Sequence, residues 1–154
     1  MDNLNYDLPD TGFEERVKEL PFVFVYGTLK STGSVRGMMS LVDDEAKAEI
    51  VGKTKTTYPD YQMMDLGAFP GVVDGGTKHI QGELYKINDW MMGKLDMIEG
   101  VANDFYKVKK VDTDLGKGWM YYLDKEYGQD LGTNLDTRYT DRIEEIDNTL
   151  IWHN

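Results

Sequence analysis

Glu99 closes the stretch Trp90-Met91-Met92-Gly93-Lys94-Leu95-Asp96-Met97-Ile98-Glu99. Trp90, Met91, Lys94 (through its stem), Leu95 and Ile98 recur there at spacings of three and four. That period predicts a helix over residues 90–99, capped by Asn88 or Asp89 and stopped by Gly100. A carboxylate in the last turn of a helix opposes the backbone dipole, at a cost of roughly 0.3–1 kcal/mol. Asp96 lies one turn earlier and brings a like charge beside it. Both effects raise the proton affinity of Glu99, and burial would raise it further. A carboxylate poised in this way can accept a proton and return it, which is what general acid–base catalysis requires. The plain alternative is a solvated surface acid on a chain full of acids.

The second candidate is Tyr26-Gly27-Thr28-Leu29. It follows Phe22-Val23-Phe24-Val25-Tyr26, five consecutive β-branched or aromatic residues. Such a run is too short for a buried helix and suits a strand covered on both faces. Gly27 then lets the chain turn sharply and lets another group approach the backbone. A turn of this kind presents successive backbone N–H groups, which can hold a carboxylate or a developing oxyanion. An ordinary strand-ending turn would use the same residues.

Other chemistries are excluded by count or by motif. The chain has no cysteine, so disulfides, thiolate zinc sites and cysteine nucleophiles are out. Its two histidines, His79 and His153, are too few for a histidine-rich metal site, while the many acids leave a carboxylate-only magnesium or calcium site open. No Walker A loop, GxGxxG, HExxH, GxSxG or EF-hand sequence occurs. A formal net charge of −11 over 154 residues repels phosphate backbones and anionic lipid, so neither nucleic acid nor a membrane is an expected partner. No apolar run approaches the roughly 20 residues of a membrane span. The first twenty residues carry Asp2, Asp7, Asp10, Glu14, Glu15 and Glu19 and no apolar stretch, unlike a secretory signal.

The elements that must position these groups can be read in chain order. Residues 1–20 form an acidic N-terminal extension in which 12–20 can make one or two helical turns. A domain over 21–124 follows. Within it, residues 31–49 read as a loop and then a helix, with Met38, Met39, Leu41 and Val42 on its apolar side. Residues 50–58 read as a strand. Residues 61–73 are irregular and hold the turn signal Phe69-Pro70-Gly71. Residues 79–87 alternate as a strand should, with Ile80, Gly82 and Leu84 on one face. Strands over 105–113 and 119–123 flank the glycine-rich loop 114–118. Residues 125–154 form a tail that docks on the domain, with Ile143, Ile146 and Leu150 at helical spacing. Met38, Met39, Met91 and Met92 are expected to fill the core, and Trp90 and Trp119 to pack in it. The expected class is α+β: a small, mixed, mostly antiparallel β-barrel with short flanking helices.

Four of these pieces occur together in a familiar order. Val25-Tyr26-Gly27-Thr28-Leu29-Lys30, Gly82-Glu83-Leu84-Tyr85, Leu95-Asp96-Met97-Ile98-Glu99-Gly100 and Tyr106-Lys107-Val108 resemble the gamma-glutamylcyclotransferase-like superfamily. The pattern is closest to its small gamma-glutamylamine cyclotransferase branch. The resemblance spans about residues 21–123 and implies the same barrel-like fold. It also implies a gamma-glutamyl cyclotransferase, which releases 5-oxoproline and a free amine from a gamma-glutamyl amide and needs no metal or cofactor. By the same resemblance, Glu99 is the catalytic residue. Tyr26, Gly27, Thr28 and Leu29 cradle the substrate, and Tyr106 and Tyr122 stand near the pocket. The implied partner is a small gamma-glutamyl molecule, and the expected protein is a cytoplasmic monomer or weak homodimer. Two other functions fit the sequence: a non-catalytic module that binds a small carboxylate on the same scaffold, and an acidic interaction protein working through its termini.

Overall fold

The computed structural model describes residues 12–27, 37–66, 69–99, 106–123 and 141–153. Strand β1 (Phe22–Val25) runs through the middle of a seven-stranded sheet. Its neighbours are β5 (His79–Ile87), antiparallel, and β7 (Gly116–Tyr122), parallel. Beyond β7 lies β6 (Lys107–Thr113), paired as a hairpin through the two-residue turn Asp114-Leu115. One edge of β5 carries β2 (Ala48–Lys55) in antiparallel register. Its other edge meets β9 (Thr149–Trp152), in parallel, at His79 and Ile80, and β9 is paired with β8 (Ile143–Ile146). A separate hairpin is formed by β3 (Tyr61–Asp65) and β4 (Pro70–Asp74).

The apolar run of β1 is explained by two cores, one on each face of the sheet. Val23 and Val25 point to the side where Tyr85, Met91, Met92, Leu95, Trp119 and Tyr121 are buried. Phe24 and Tyr26 point to the other side, with Met63, Ile80, Leu84, Met120, Leu150 and Trp152. Alternate side chains of a strand face opposite ways, so a strand between two cores has no polar positions. Helix α1 (Phe13–Glu19) and helix α2 (Asp89–Glu99) cover the first core and pack on each other. Asn88 caps α2, its side-chain oxygen accepting from the Met91 N–H at 3.1 Å.

The mixed, mostly antiparallel α+β arrangement is as expected. A closed barrel is not what the strand ladders describe. β2 and β6 meet only at one end, in the bridge between Thr56 and Thr113, and no ladder joins them along their length.

Several local expectations are corrected. The segment expected to be irregular, 61–73, is largely the β3–β4 hairpin, with Pro70 opening a strand whose partner is Asp65. Proline is tolerated there because it stands at the strand's first position. The helix expected within 31–49 is reduced, among the described residues, to a single 3-10 turn at Met38–Leu41. Helical spacing in the tail gives way to the β8–β9 hairpin. Its turn residues Asp147 and Asn148 both take positive φ, 51° and 63°, the pair of left-handed residues that a two-residue hairpin turn demands. The buried face of α2 is turned by about one residue. Met91, Met92, Leu95 and Asp96 are buried, whereas Trp90 and Ile98 are more than half exposed. Met39 is exposed as well, while Met38, Met91, Met92 and Trp119 are core residues. The stop expected at Gly100 lies outside the described residues.

The β8–β9 hairpin contributes Trp152, which is 1% exposed, to the second core. The Trp152→Ala variant is therefore expected to lose about 3–5 kcal/mol of unfolding free energy in urea denaturation. A loss below about 1 kcal/mol would show that the hairpin is not part of the cooperative unit.

Candidate active site

At the end of β1 the chain turns at Gly27, and the sheet opens into a cleft. Phe24, Val25, Tyr26 and Gly27 form one wall. Phe69 and Pro70, leading into β4, form the rim opposite. Ile98 and Glu99 enter from the end of α2, and Tyr106 and Tyr121 complete the lining. The cleft encloses about 610 Å³, counting the part open to solvent. Gly27 is required by closeness rather than by its dihedral angles. A Cβ at this position would stand 2.8 Å from Cγ of Pro70, closer than real side chains come. Two tyrosine hydroxyls are fixed by backbone. Tyr26 donates to the Tyr121 carbonyl at 2.8 Å, tying β1 to β7, and Tyr106 donates to the Pro70 carbonyl at 2.6 Å, tying the rim to the segment before β6. The cleft wall is thus held by hydrogen bonds that do not consume Glu99.

Glu99 reaches the cleft because it continues the buried face of α2, one turn after Leu95 and Asp96. It is only partly exposed. Burial among apolar and aromatic groups, and then the neighbouring Asp96, push its carboxyl from the usual range up to about 7. Burial and the Glu99 charge push the Tyr26 phenol well above its ordinary value, so it stays protonated. Tyr106 is raised as well, by burial first and then by Tyr26 and Glu99. The Tyr121 phenol is raised by burial and by Asp96. The result is one acid that can exchange a proton near neutrality, ringed by phenols that cannot ionise.

Asp96 is 4% exposed and is held on both oxygens. The Tyr121 hydroxyl donates to Oδ1 at 2.6 Å, and the Arg16 guanidinium on α1 pairs with Oδ2. Among the described residues no cluster of three or more His, Asp or Glu side chains is arranged to hold a metal ion.

The structure brings together Tyr26, Gly27, Tyr106 and Glu99, four of the residues singled out in the sequence. Thr28 and Leu29 lie outside the described residues. Tyr122 is not among the residues of the cleft. Its ring lies under the Lys109 ammonium, 5.0 Å from the ring centre, a place Lys109 shares with Tyr61. Its neighbour Tyr121 takes the place expected for it. Strand alternation phased on Trp119, which faces the helices, carries this information: Tyr121 shares the face of Trp119 and Tyr122 does not. Phe69 and Pro70, from the Phe69-Pro70-Gly71 turn signal, line the cleft. The ion pair of Arg16 with Asp96 had no signal in the sequence, because the two residues are 80 positions apart.

Residues 23–141 match the model of the family described as gamma-glutamyl cyclotransferase, AIG2-like, and the chain belongs to that family. A Vibrio cholerae relative that carries the gamma-glutamylcyclotransferase name is 32% identical over 99 residues, covering 64% of this chain and 78% of its own. The gamma-glutamylcyclotransferase family protein YtfP of Escherichia coli is 30% identical over 100 residues, covering 64% and 79%. Among solved structures, an AIG2-like protein of Mus musculus superposes with a TM-score of 0.56 at 20% identity, over 66% of this chain and 76% of that one. A protein specific to uropathogenic E. coli gives 0.57 at 18% identity, over 74% and 85%. At those identities the likeness is one of fold.

The raised affinity of Glu99 for its proton has a consequence for stability. The folded protein binds this proton more tightly than the unfolded chain does. Folding therefore meets no penalty from Glu99 below about pH 4.5, and the penalty grows up to about pH 7 and is constant above it. The Glu99→Gln variant should melt at a higher temperature than the wild type at pH 8, and the difference should shrink below pH 5. An equal offset at every pH would show that the carboxyl is not perturbed.

Proposed function

We propose that this protein is a gamma-glutamyl cyclotransferase that converts a gamma-glutamyl amide to 5-oxoproline and a free amine. Glu99 acts first as base and then as acid. The observation that carries the reading is a carboxyl with an affinity tuned to about pH 7 in the same cleft as the Gly27 turn.

The chemistry needs little more than that. The substrate's α-ammonium group must lose a proton before its nitrogen can attack the γ-carbonyl carbon. Glu99 accepts that proton. The new C–N bond closes a five-membered ring, the γ-carbonyl oxygen takes negative charge, and the tetrahedral intermediate collapses by breaking the original amide C–N bond. The departing nitrogen takes that proton back from Glu99, the ring nitrogen gives up its remaining extra proton through the same carboxylate to the departing amine, and the products leave as the lactam and an ammonium group. No bond to the protein forms and nothing is oxidised or reduced. A group with affinity near the working pH serves both transfers with the smallest penalty. A backbone N–H at the Gly27 turn suits the substrate's α-carboxylate or the developing oxyanion. The aromatic walls of Phe24, Phe69, Tyr106 and Tyr121 displace water and hold the α-nitrogen near the carbonyl it attacks. Tyr121 stands in this role in place of Tyr122.

The test is a panel of gamma-glutamyl amines and peptides incubated with wild type and with Glu99→Gln, with 5-oxoproline quantified by mass spectrometry. Wild type should release 5-oxoproline from at least one class, and the variant should be slower by about 10²–10⁴-fold. No release by wild type from any member, with the folded protein still binding 5-oxoproline, would replace catalysis with carboxylate binding.

A further inference from the structure

The last two residues of α2 both line the cleft, and the reaction proposed above gives a task to one of them, Glu99. The other, Ile98, is 54% exposed, and Met97 just before it is 79% exposed. The apolar spacing of α2 points to a core position for Ile98, but the fold leaves it at the surface. There a β-branched side chain costs helix propensity and returns little burial. Phe69, ahead of Pro70, also lines the cleft and is partly exposed, its ring 6.4 Å from that of Tyr106. The other aromatic lining residues, Phe24, Tyr26, Tyr106 and Tyr121, are buried. Depth and mouth therefore differ. The depth is a closed aromatic wall, and the mouth is bordered by Phe69 and Ile98, with Glu99 next to Ile98 in the chain.

We propose that Ile98 and Phe69 form the subsite for the amine half of the substrate, and that this amine carries a hydrocarbon chain of several carbons on its nitrogen. The inference rests on the cyclotransferase reading and deepens it. Its ground is connectivity. Every gamma-glutamyl amide shares the glutamyl half, whose α-nitrogen and γ-carbonyl have to meet inside the cleft beside Glu99. The departing nitrogen is bonded to that same γ-carbonyl and takes a proton from Glu99. It therefore stands within hydrogen-bond reach of the carboxyl. The carbons attached to it lead from there toward the mouth, where they meet an aliphatic and an aromatic side chain. Neither side chain offers a hydrogen bond. A polar group on the first few carbons would lose water there and gain nothing from these two residues. A run of methylenes would instead take apolar surface out of water on both sides. Apolar residues exposed singly over a surface are ordinary. Ile98 differs because it lines the cleft that holds the reactive acid.

The experiment is a series of gamma-glutamyl n-alkylamides, from methyl to n-hexyl, measured in two ways on the full chain. Affinities are taken by calorimetry with Glu99→Gln, in which turnover is suppressed, and kcat/KM for 5-oxoproline release is taken with Glu99 intact. Both should rise by about two- to fourfold per added methylene from methyl to butyl, a fully buried methylene giving roughly fourfold and a partly buried one less. Ile98→Ser, introduced into each background, should flatten the rise in both measurements, and Phe69→Ala should do the same. Ile98→Met keeps an apolar side chain and should keep the rise. A merely structural defect would lower every member of the series alike and leave the slope as it was. Slopes that are flat with Ile98 and Phe69 in place, or slopes that Ile98→Ser leaves intact, would overturn the proposal. If Phe69→Ala does not fold, the exposed position 98 decides alone. Affinity that rises with chain length, with no 5-oxoproline released by the wild type, would count against the enzymatic reading and leave the subsite standing. Release of 5-oxoproline with flat slopes would do the reverse.

Discussion

A carboxylate buried in an apolar interior has to be satisfied on both oxygens, and in this protein Asp96 is that carboxylate. Three elements from distant parts of the chain converge to satisfy it. Helix α1 supplies Arg16, β7 supplies Tyr121, and α2 supplies Asp96 itself. The rest of the site depends on this junction. It fixes how α2 is rotated against the sheet, so the face carrying Met92, Leu95 and Asp96 turns inward and Trp90 turns out. That rotation carries Glu99 to the mouth of the cleft. It also leaves an anion one turn away, which together with burial keeps the Glu99 proton near neutrality. Breaking such an arrangement by removing one partner costs more than the arrangement gains, because the remaining charge is stranded.

The sheet does the complementary work. β1 lies between two cores and is held by β5 on one edge and β7 on the other. The backbone leaving it is therefore a rigid platform, and rigid elements place functional groups more accurately than loops do. Gly27 sits where that platform ends and is pressed against Pro70, so the turn and the β4 rim form one surface. The tyrosine hydroxyls at 26 and 106 bind backbone carbonyls and act as struts. The cleft is thus preformed among the described residues, with one exchangeable proton in it.

The parts of this arrangement legible in the sequence are those with strong local signals. An unbroken apolar strand ending in glycine, an alternating strand at 79–87 and a capped helix ending in Glu99 were each readable from short-range pattern. The family resemblance joined them into one site. What was not legible depended on partners far along the chain. Asp96 looks like a solvent-facing acid until Arg16 is seen beside it, and the apolar spacing of α2 by itself points to a face one residue away from the buried one. Tyr121 and Tyr122 are distinguished only by the phase of a strand, which the burial of Trp119 sets. The tail carried Asp147-Asn148, a hairpin signal stronger than the three apolar residues at helical spacing around it. Pro70 marks a turn in most contexts, and only pairing with Asp65 makes it the start of a strand.

On the proposed reading the Glu99 proton governs turnover, and the pH dependence of kcat/KM for 5-oxoproline release would reveal it. That quantity reports the free enzyme's essential groups. Activity should rise with pH along a single acid limb with a midpoint near the Glu99 value of about 7. A profile flat from about pH 5 to 8 would contradict it, since a base that must be ionised cannot be indifferent to its own titration.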